Sequence, residues 1–257
     1  MRDLKITLVQ QPLEWMSPQG NRDNFENLLL NAERTDLFIL PEMFCTGFTM
    51  KPEQVAEPMD GPSLEWLALM AKKTGAAITG TLVISESRLY FNRLIFMRPD
   101  GQYHYYDKRH LFRMAREDQH YTAGIKRLVI NYRGWRICPM ICYDLRFPVW
   151  SRNRNEFDLL LYVANWPEPR SLHWSALLKA RAIENLCYVA GINRVGRDGN
   201  QVGYRGDSAI YDAQGQELLQ CSDKPGCFSY SLNYLALSKY RNHFPADRDA
   251  DQFELYI

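Results

Sequence analysis

Three strand-like segments of this chain each finish in a reactive side chain. DLFILPE ends in Glu42, QYHYYDK in Lys108 (its YYDK) and RICPMIC in Cys142. A free thiol with a pKa near ~8.5 is only a few per cent thiolate at neutral pH, so it needs a base or a nearby cation to react. A carboxylate in a partly dry pocket has its pKa raised; it can take the thiol proton and later hand it to a departing amine. A buried lysine over the reacting carbon stabilises the negative oxygen of a tetrahedral intermediate. Brought together, the three groups would do acyl transfer through a thiol, with neither metal nor histidine.

Each residue also has a plainer reading. One cysteine among six is most often a small buried hydrophobe. A glutamate after proline usually caps or is solvated, and Lys108 within DKRH reads as part of a solvated charge cluster. Glu117, in AREDQ, has the same surface reading. Periodicity alone does not bring these residues to one place.

The elements that must position them alternate from the start. KITLVQ alternates as a strand, and NRDNFENLLLNAERT reads as a helix with Phe25, Leu28, Leu29 and Ala32 on one face. DLFIL, stopped by Pro41, is the short continuous apolar run of a strand buried on both faces. SLEWLALMAKK is a second helix, with Ser63 its expected N-cap and Gly75 just past its end. AAITGTLVIS follows as a strand. YFNRLIFMRPDGQYHYYDK reads as a hairpin around Pro99-Asp100 and Gly101, and LVINYRGWRICPMI as another, turned at Arg133-Gly134. DLLLYVAN is a buried strand, and SLHWSALLKARAIENL a long helix with Ser171 its expected cap. CYVAGINRVG, DSAIYDAQGQELLQ and CFSYSL make the second half strand-rich. From Ser238 onward the chain is polar and predicts an extended C-terminal arm over 238–257. Helices interleave with hairpins and lone strands, so the sheet should be mixed, within one α/β domain spanning 1–257.

Composition excludes several classes of function. The chain has 257 residues, a net charge of +1, 24% charged and 46% hydrophobic residues, which fits a soluble globular domain. Near-neutral charge gives no electrostatic reason to expect nucleic acid or a membrane surface as partner. No apolar run approaches the ~20 residues that span a bilayer, and MRDLKITLVQ lacks the apolar region of a secretory signal, reading directly as a strand. The six cysteines are scattered, with no CxxC pair and no close Cys/His spacing that would hold a metal. Reduced thiols in a cytoplasmic protein are the expectation.

PEMFCTGF, YDKRHLF and ICYDLRFP resemble the three signature segments of the nitrilase superfamily of carbon–nitrogen hydrolases, in the right order and well separated. The likeness covers essentially the whole chain, including ANWP and the GINRVG strand after the long helix. It implies a four-layer α-β-β-α sandwich and a homodimer formed through helices, while the thiol chemistry itself needs no cofactor. Carried over, Glu42 is the general base, Lys108 the oxyanion-stabilising cation and Cys142 the nucleophile. The family's additional glutamate matches Glu117, ahead of Gly124. The Tyr143 backbone N–H joins Lys108 at the oxyanion, and a thioester forms as ammonia leaves. Asp144 is expected to satisfy backbone groups at the elbow or to pair with nearby cations.

Substrate choice points to Arg146, four residues after the thiol. In relatives acting on small acids an arginine here grips the substrate carboxylate, a bidentate task that suits a guanidinium; the alternative is a structural ion pair. Phe44, Phe48, Tyr143 and Trp166 are expected to wall the pocket, or else to be plain core. CYDLRFP with YDKRHLF is similar to the omega-amidase branch, and ANWPEPRSLHW to its bacterial members. That implies a small-molecule amide substrate, 2-oxoglutaramate or 2-oxosuccinamate. A nitrilase or carbamoyl hydrolase of the same superfamily is the nearer alternative. A papain-like hydrolase is the more distant one; it needs a histidine-activated thiol, whereas the present reading expects His173→Asn to be nearly silent. A non-catalytic scaffold is disfavoured because burying three polar groups without a task costs stability.

Overall fold

The computed structural model describes residues 2–256. Met1, at the head of the first strand segment, and Ile257, at the end of the predicted arm, lie outside the described residues. The first half begins β1 (Leu4–Gln10), α1 (Pro18–Asn31), β2 (Leu37–Ile39), α2 (Pro62–Thr74) and β3 (Ala77–Glu86). Helices between successive strands force parallel pairing, so β1, β2 and β3 run side by side in one direction. Two turns then bring β4 (Leu89–Met97) and β5 (Tyr103–Asp107) back antiparallel, as the hairpin pattern predicts.

The second half repeats the plan. The hairpin β6 (Ile130–Tyr132) and β7 (Trp135–Ile141) turns at Arg133 and Gly134, both with positive φ (51° and 87°). β8 (Leu159–Ala164), α3 (Ser171–Asn185) and β9 (Tyr188–Asn193) extend it in parallel. A small hairpin of β10 (Val195–Arg197) and β11 (Gly203–Arg205) stands apart; β12 (Ala209–Tyr211) and β13 (Glu217–Gln220) close the sheet antiparallel. β14 (Gly226–Leu232) crosses back to β1, and α4 (Tyr234–His243) follows it. The result is two six-stranded mixed sheets, ordered β14-β1-β2-β3-β4-β5 and β13-β12-β9-β8-β7-β6.

Period-two alternation makes the layers. Leu4, Ile6 and Leu8 of β1, Leu37 and Ile39 of β2, and Leu94 and Phe96 of β4 pack in a core shared with the second sheet. Their neighbours Val9, Phe38, Ile95 and Met97 turn the other way, onto Phe25 and Leu29 of α1 and Leu67 and Met70 of α2. α3 covers the far side of the second sheet through Trp174, Leu178 and Ala182. It lies so close to β9 that a Cβ at Gly191 would meet Leu178 at 2.5 Å. The α-β-β-α order matches the expected sandwich.

Three local expectations are corrected. Ser63 is not the cap of α2: Pro62 takes the first helical position and Gly61 the cap, while Glu57 reaches in to accept from the Ser63 N–H (2.6 Å) and hydroxyl (2.9 Å). Ser171 is the first residue of α3 rather than its cap, because a 3-10 turn at Glu168–Arg170 already starts the coil. The extended arm begins later than predicted. Ser238 lies inside α4, whose Arg241 donates to Leu186 O and to Asp158 Oδ1, both at 2.7 Å, so this helix is anchored despite its polar sequence.

Candidate active site

The apolar run RICPMI forms β7 beside β8, every residue of which is buried. The strand stops at Ile141 and the chain tightens at once into a 3-10 turn over Cys142–Arg146. Cys142 opens that turn with φ +42°, a left-handed conformation uncommon for a residue with a side chain. Asp144 holds the turn in place. Its fully buried carboxylate accepts from the Ile141 N–H (3.0 Å), the His110 N–H (3.0 Å) and ring Nδ1 (2.7 Å), and the Tyr106 hydroxyl (2.8 Å). The expectation that Asp144 satisfies groups at the elbow is met, and the same carboxylate reaches across to the segment carrying Lys108.

Lys108 follows β5 directly and is fixed by its own backbone: its N–H donates to Asn92 O at 3.0 Å, and its carbonyl accepts from Gly124 N at 2.9 Å. Gly124 has to be glycine, since a Cβ there would lie 2.2 Å from the Asp107 carbonyl oxygen. The ammonium donates to Glu42 Oε1 (2.8 Å) and to Glu117 Oε1 and Oε2 (3.0 and 2.9 Å). All three side chains are fully buried. Glu117 is thus drawn in from a surface-like sequence, with Phe112 N–H donating to its Oε2 at 2.6 Å. Glu42 lies just past β2, and its Oε2 accepts from the Asn165 N–H at 2.8 Å.

The electrostatics follow from burial and from the charges gathered there. Burial works against the Lys108 charge, but the Glu117 and Glu42 carboxylates overcome it and hold the ammonium above its ordinary range, so it stays charged. Burial pushes the Glu117 carboxyl up, with Lys108 opposing and Glu42 adding to the rise. Burial and then the Glu42 charge keep the Cys142 thiol well above the ordinary thiol range, despite the pull of Lys108. At rest Cys142 is a thiol beside the Glu42 carboxyl group. Its Sγ rests 3.8 Å from the Asn165 carbonyl oxygen.

Lys108, Cys142 and Asn165 open onto a cavity of about 640 Å³, walled by Phe48, Met50, Phe112, Tyr143 and Trp166. Arg146 and Arg170 also line it. The Arg146 guanidinium lies 5.0 Å over the Trp166 ring, and among the described residues no carboxylate comes within 4.0 Å of it. The structural ion pair that was the alternative for Arg146 does not form. Phe44 is a correction: it is fully buried on the helical side of the first sheet, against Phe25 and Trp66, and does not reach the cavity. Phe48, four residues on, does, with the Lys108 ammonium 5.2 Å over its ring.

Two participants escaped the sequence reading. Asn92 of β4 donates through Nδ2 to both Glu42 (2.8 Å) and Glu117 (3.2 Å), bridging the carboxylates. Its signal was a polar residue in the otherwise apolar YFNRLIF strand. Asn165 bridges Glu42 and Cys142 by the contacts above and holds the Glu42 carbonyl through Nδ2 at 2.6 Å. It follows directly on the end of β8, where a buried parallel strand meets the crevice. His173 bonds to Arg146 and not to Cys142, and among the described residues no histidine contacts Cys142 within hydrogen-bond reach.

A family model for carbon-nitrogen hydrolases matches residues 5–233. The chain is 49% identical to the omega-amidase YafV of Escherichia coli strain K12, with all of both chains covered. It is 30% identical to the 2-oxoglutaramate amidase of Bacillus subtilis, covering 95% of this chain and 96% of that one. A CN-hydrolase superfamily protein of Xanthomonas campestris, solved with an arsenic adduct in its active site, superposes with a TM-score of 0.98 at 48% identity over all of both chains. Saccharomyces cerevisiae Nit3, a nitrilase-superfamily member, shares the fold at 22% identity, with a TM-score of 0.85 over 95% of each chain.

Proposed function

Because the chain belongs to the carbon–nitrogen hydrolase family, we propose that it is an omega-amidase that works through a Cys142 thioester. Its substrate in this reading is the terminal amide of a small 2-oxo dicarboxylic acid, 2-oxoglutaramate or 2-oxosuccinamate. The observation that carries the reading is the Glu42–Lys108–Glu117 cluster set against the Cys142 thiol at one end of a cavity that also presents Arg146. The names of the Escherichia coli and Bacillus subtilis relatives support the same substrate class.

Since the thiol is neutral at rest, its proton moves to Glu42 as Sγ attacks the amide carbon. The S–C bond forms while the carbonyl π electrons pass to oxygen, where Lys108 and the Tyr143 backbone N–H hold the negative charge. Collapse expels ammonia, which takes the proton from Glu42, and leaves the thioester. Glu42 then deprotonates a water that attacks the same carbon; the second collapse frees the acid and returns the proton to Cys142. Glu117 and Asn92 act on this chemistry by holding Lys108 and Glu42. Arg146, with no carboxylate partner among the described residues, receives that of the substrate.

The six free cysteines support a reducing, cytoplasmic setting. We take residues 1–257 as one domain acting as a homodimer. Ammonia release from a panel of small amides, nitriles and carbamoyl acids, run beside Cys142→Ala, tests the proposal. Release from either oxo-amide, abolished in the variant, is expected. Release from another panel member, still abolished in the variant, would keep the mechanism and discard the substrate. Activity surviving Cys142→Ala would overturn the mechanism.

A further inference from the structure

The Arg146 guanidinium makes one side-chain hydrogen bond among the described residues: Nη2 to His173 Nδ1, at 2.9 Å. Arginine has donors only, so the imidazole must accept through Nδ1 and carry its proton on Nε2. Arg146 belongs to the turn that begins with Cys142, and His173 to the first turn of α3. The bond therefore joins the nucleophile's turn to the helix on the far side of the second sheet. The face of the guanidinium lies on Trp166. That ring is itself held, its Nε1 donating to Arg170 O at 2.8 Å and the ring packing tilted against Trp174 at 5.5 Å between centroids. One surface and one edge of Arg146 are thus occupied, and its remaining N–H groups are left for a ligand.

We infer that His173 is a positioning residue for specificity: by accepting from Nη2 it fixes the plane of Arg146, so that amides bearing a distal carboxylate are preferred over neutral ones. This rests on the proposed role of Arg146. A flexible arginine must be ordered when the carboxylate binds, whereas one held by a ring face and a lone pair is ordered beforehand, and a bidentate grip needs its plane fixed. The effect falls on binding of the carboxylate and not on the Cys142 chemistry, so it belongs in KM and not in kcat.

The test compares steady-state kinetics on 2-oxoglutaramate and on a neutral aliphatic amide. His173→Leu removes the acceptor and keeps bulk; His173→Asn keeps an acceptor oxygen where Nδ1 stood. The expected result is a KM for 2-oxoglutaramate raised about three- to tenfold in His173→Leu, the weight of one hydrogen bond. Its kcat and the kinetics on the neutral amide stay near wild type, and His173→Asn restores the KM. Equal losses on both substrates, or no change in His173→Leu, would overturn the inference. Arg146→Met separates the two levels. If it raises the KM for 2-oxoglutaramate while His173→Leu does not, only the positioning role fails. If Arg146→Met spares that KM, the carboxylate grip and the inference fail together.

Discussion

Asp144, two residues beyond Cys142, accepts the Tyr106 hydroxyl at 2.8 Å, two residues before Lys108. One buried carboxylate therefore ties the turn that opens with Cys142 to β5, the strand that leads into Lys108. Trp150 Nε1 donates to the same hydroxyl at 3.0 Å. Replacing Asp144 by Asn keeps the shape but turns an acceptor pair into one acceptor and one donor facing donors. We expect Asp144→Asn to lose about 2–4 kcal/mol of stability, the cost of unsatisfied buried donors, measured by urea unfolding. Turnover should fall as well, because the Cys142–Lys108 spacing is no longer held; wild-type kcat in a folded variant would remove Asp144 from that role.

The buried charge cluster predicts a pH-dependent penalty. Lys108 titrates above its ordinary 10.5, so its contribution to stability is complete below that value and is lost as pH rises through the folded one. Glu117 titrates above its ordinary 4.5, so the folded chain holds that proton more tightly than the unfolded chain does. Its contribution to stability therefore falls as pH climbs from 4.5 through the raised value. Lys108→Met leaves two carboxylates buried without a cation. The variant should be destabilised by about 3–5 kcal/mol at pH 8 and less at pH 5, where a carboxyl can take up a proton. Unfolding midpoints compared at the two pH values check the sign, and a larger penalty at pH 5 would contradict it.

Phe44 and Phe48 separate packing from recognition. Phe44→Ala should cost about 3–5 kcal/mol and leave KM unchanged below the melting transition, since the ring fills the helical side of the first sheet. Phe48→Ala should be milder in stability and raise KM, because its ring is cavity wall. Thermal denaturation and steady-state kinetics on both variants check the contrast, and a KM defect in Phe44→Ala would return that ring to the pocket.

The proposed chemistry runs on a thiol, a carboxylate and an ammonium. Prolonged dialysis against EDTA should leave ammonia release unchanged. Activity lost to the chelator and restored by a divalent cation would contradict the metal-free mechanism.

Much of this is legible in the sequence. Apolar runs, turn dipeptides and helical periodicity are local, and they located the strands carrying Glu42, Lys108 and Cys142. The helix caps were less legible because caps depend on neighbours. Glu57 takes the Ser63 donors from six residues away, and a 3-10 turn starts α3 early. The arm starts later than its polar sequence predicts for a related reason: the polar residues of α4 are offset by partners such as Asp158, which lies 83 positions earlier.

The sequence by itself determined the reactive groups and the strands that end in them, because backbone propensity and apolar alternation act over a few residues. The motif likeness added the family and its chemistry. Only the tertiary structure decided that Glu117 leaves an apparently solvated loop to share Lys108 with Glu42, that Asn92 bridges the two carboxylates, and that Phe48 rather than Phe44 faces the cavity. The physical reason is that these relations depend on which strand ends the sheet order brings together and on which side of a loop meets the core. Both are set by long-range packing, to which spacing along the chain is blind.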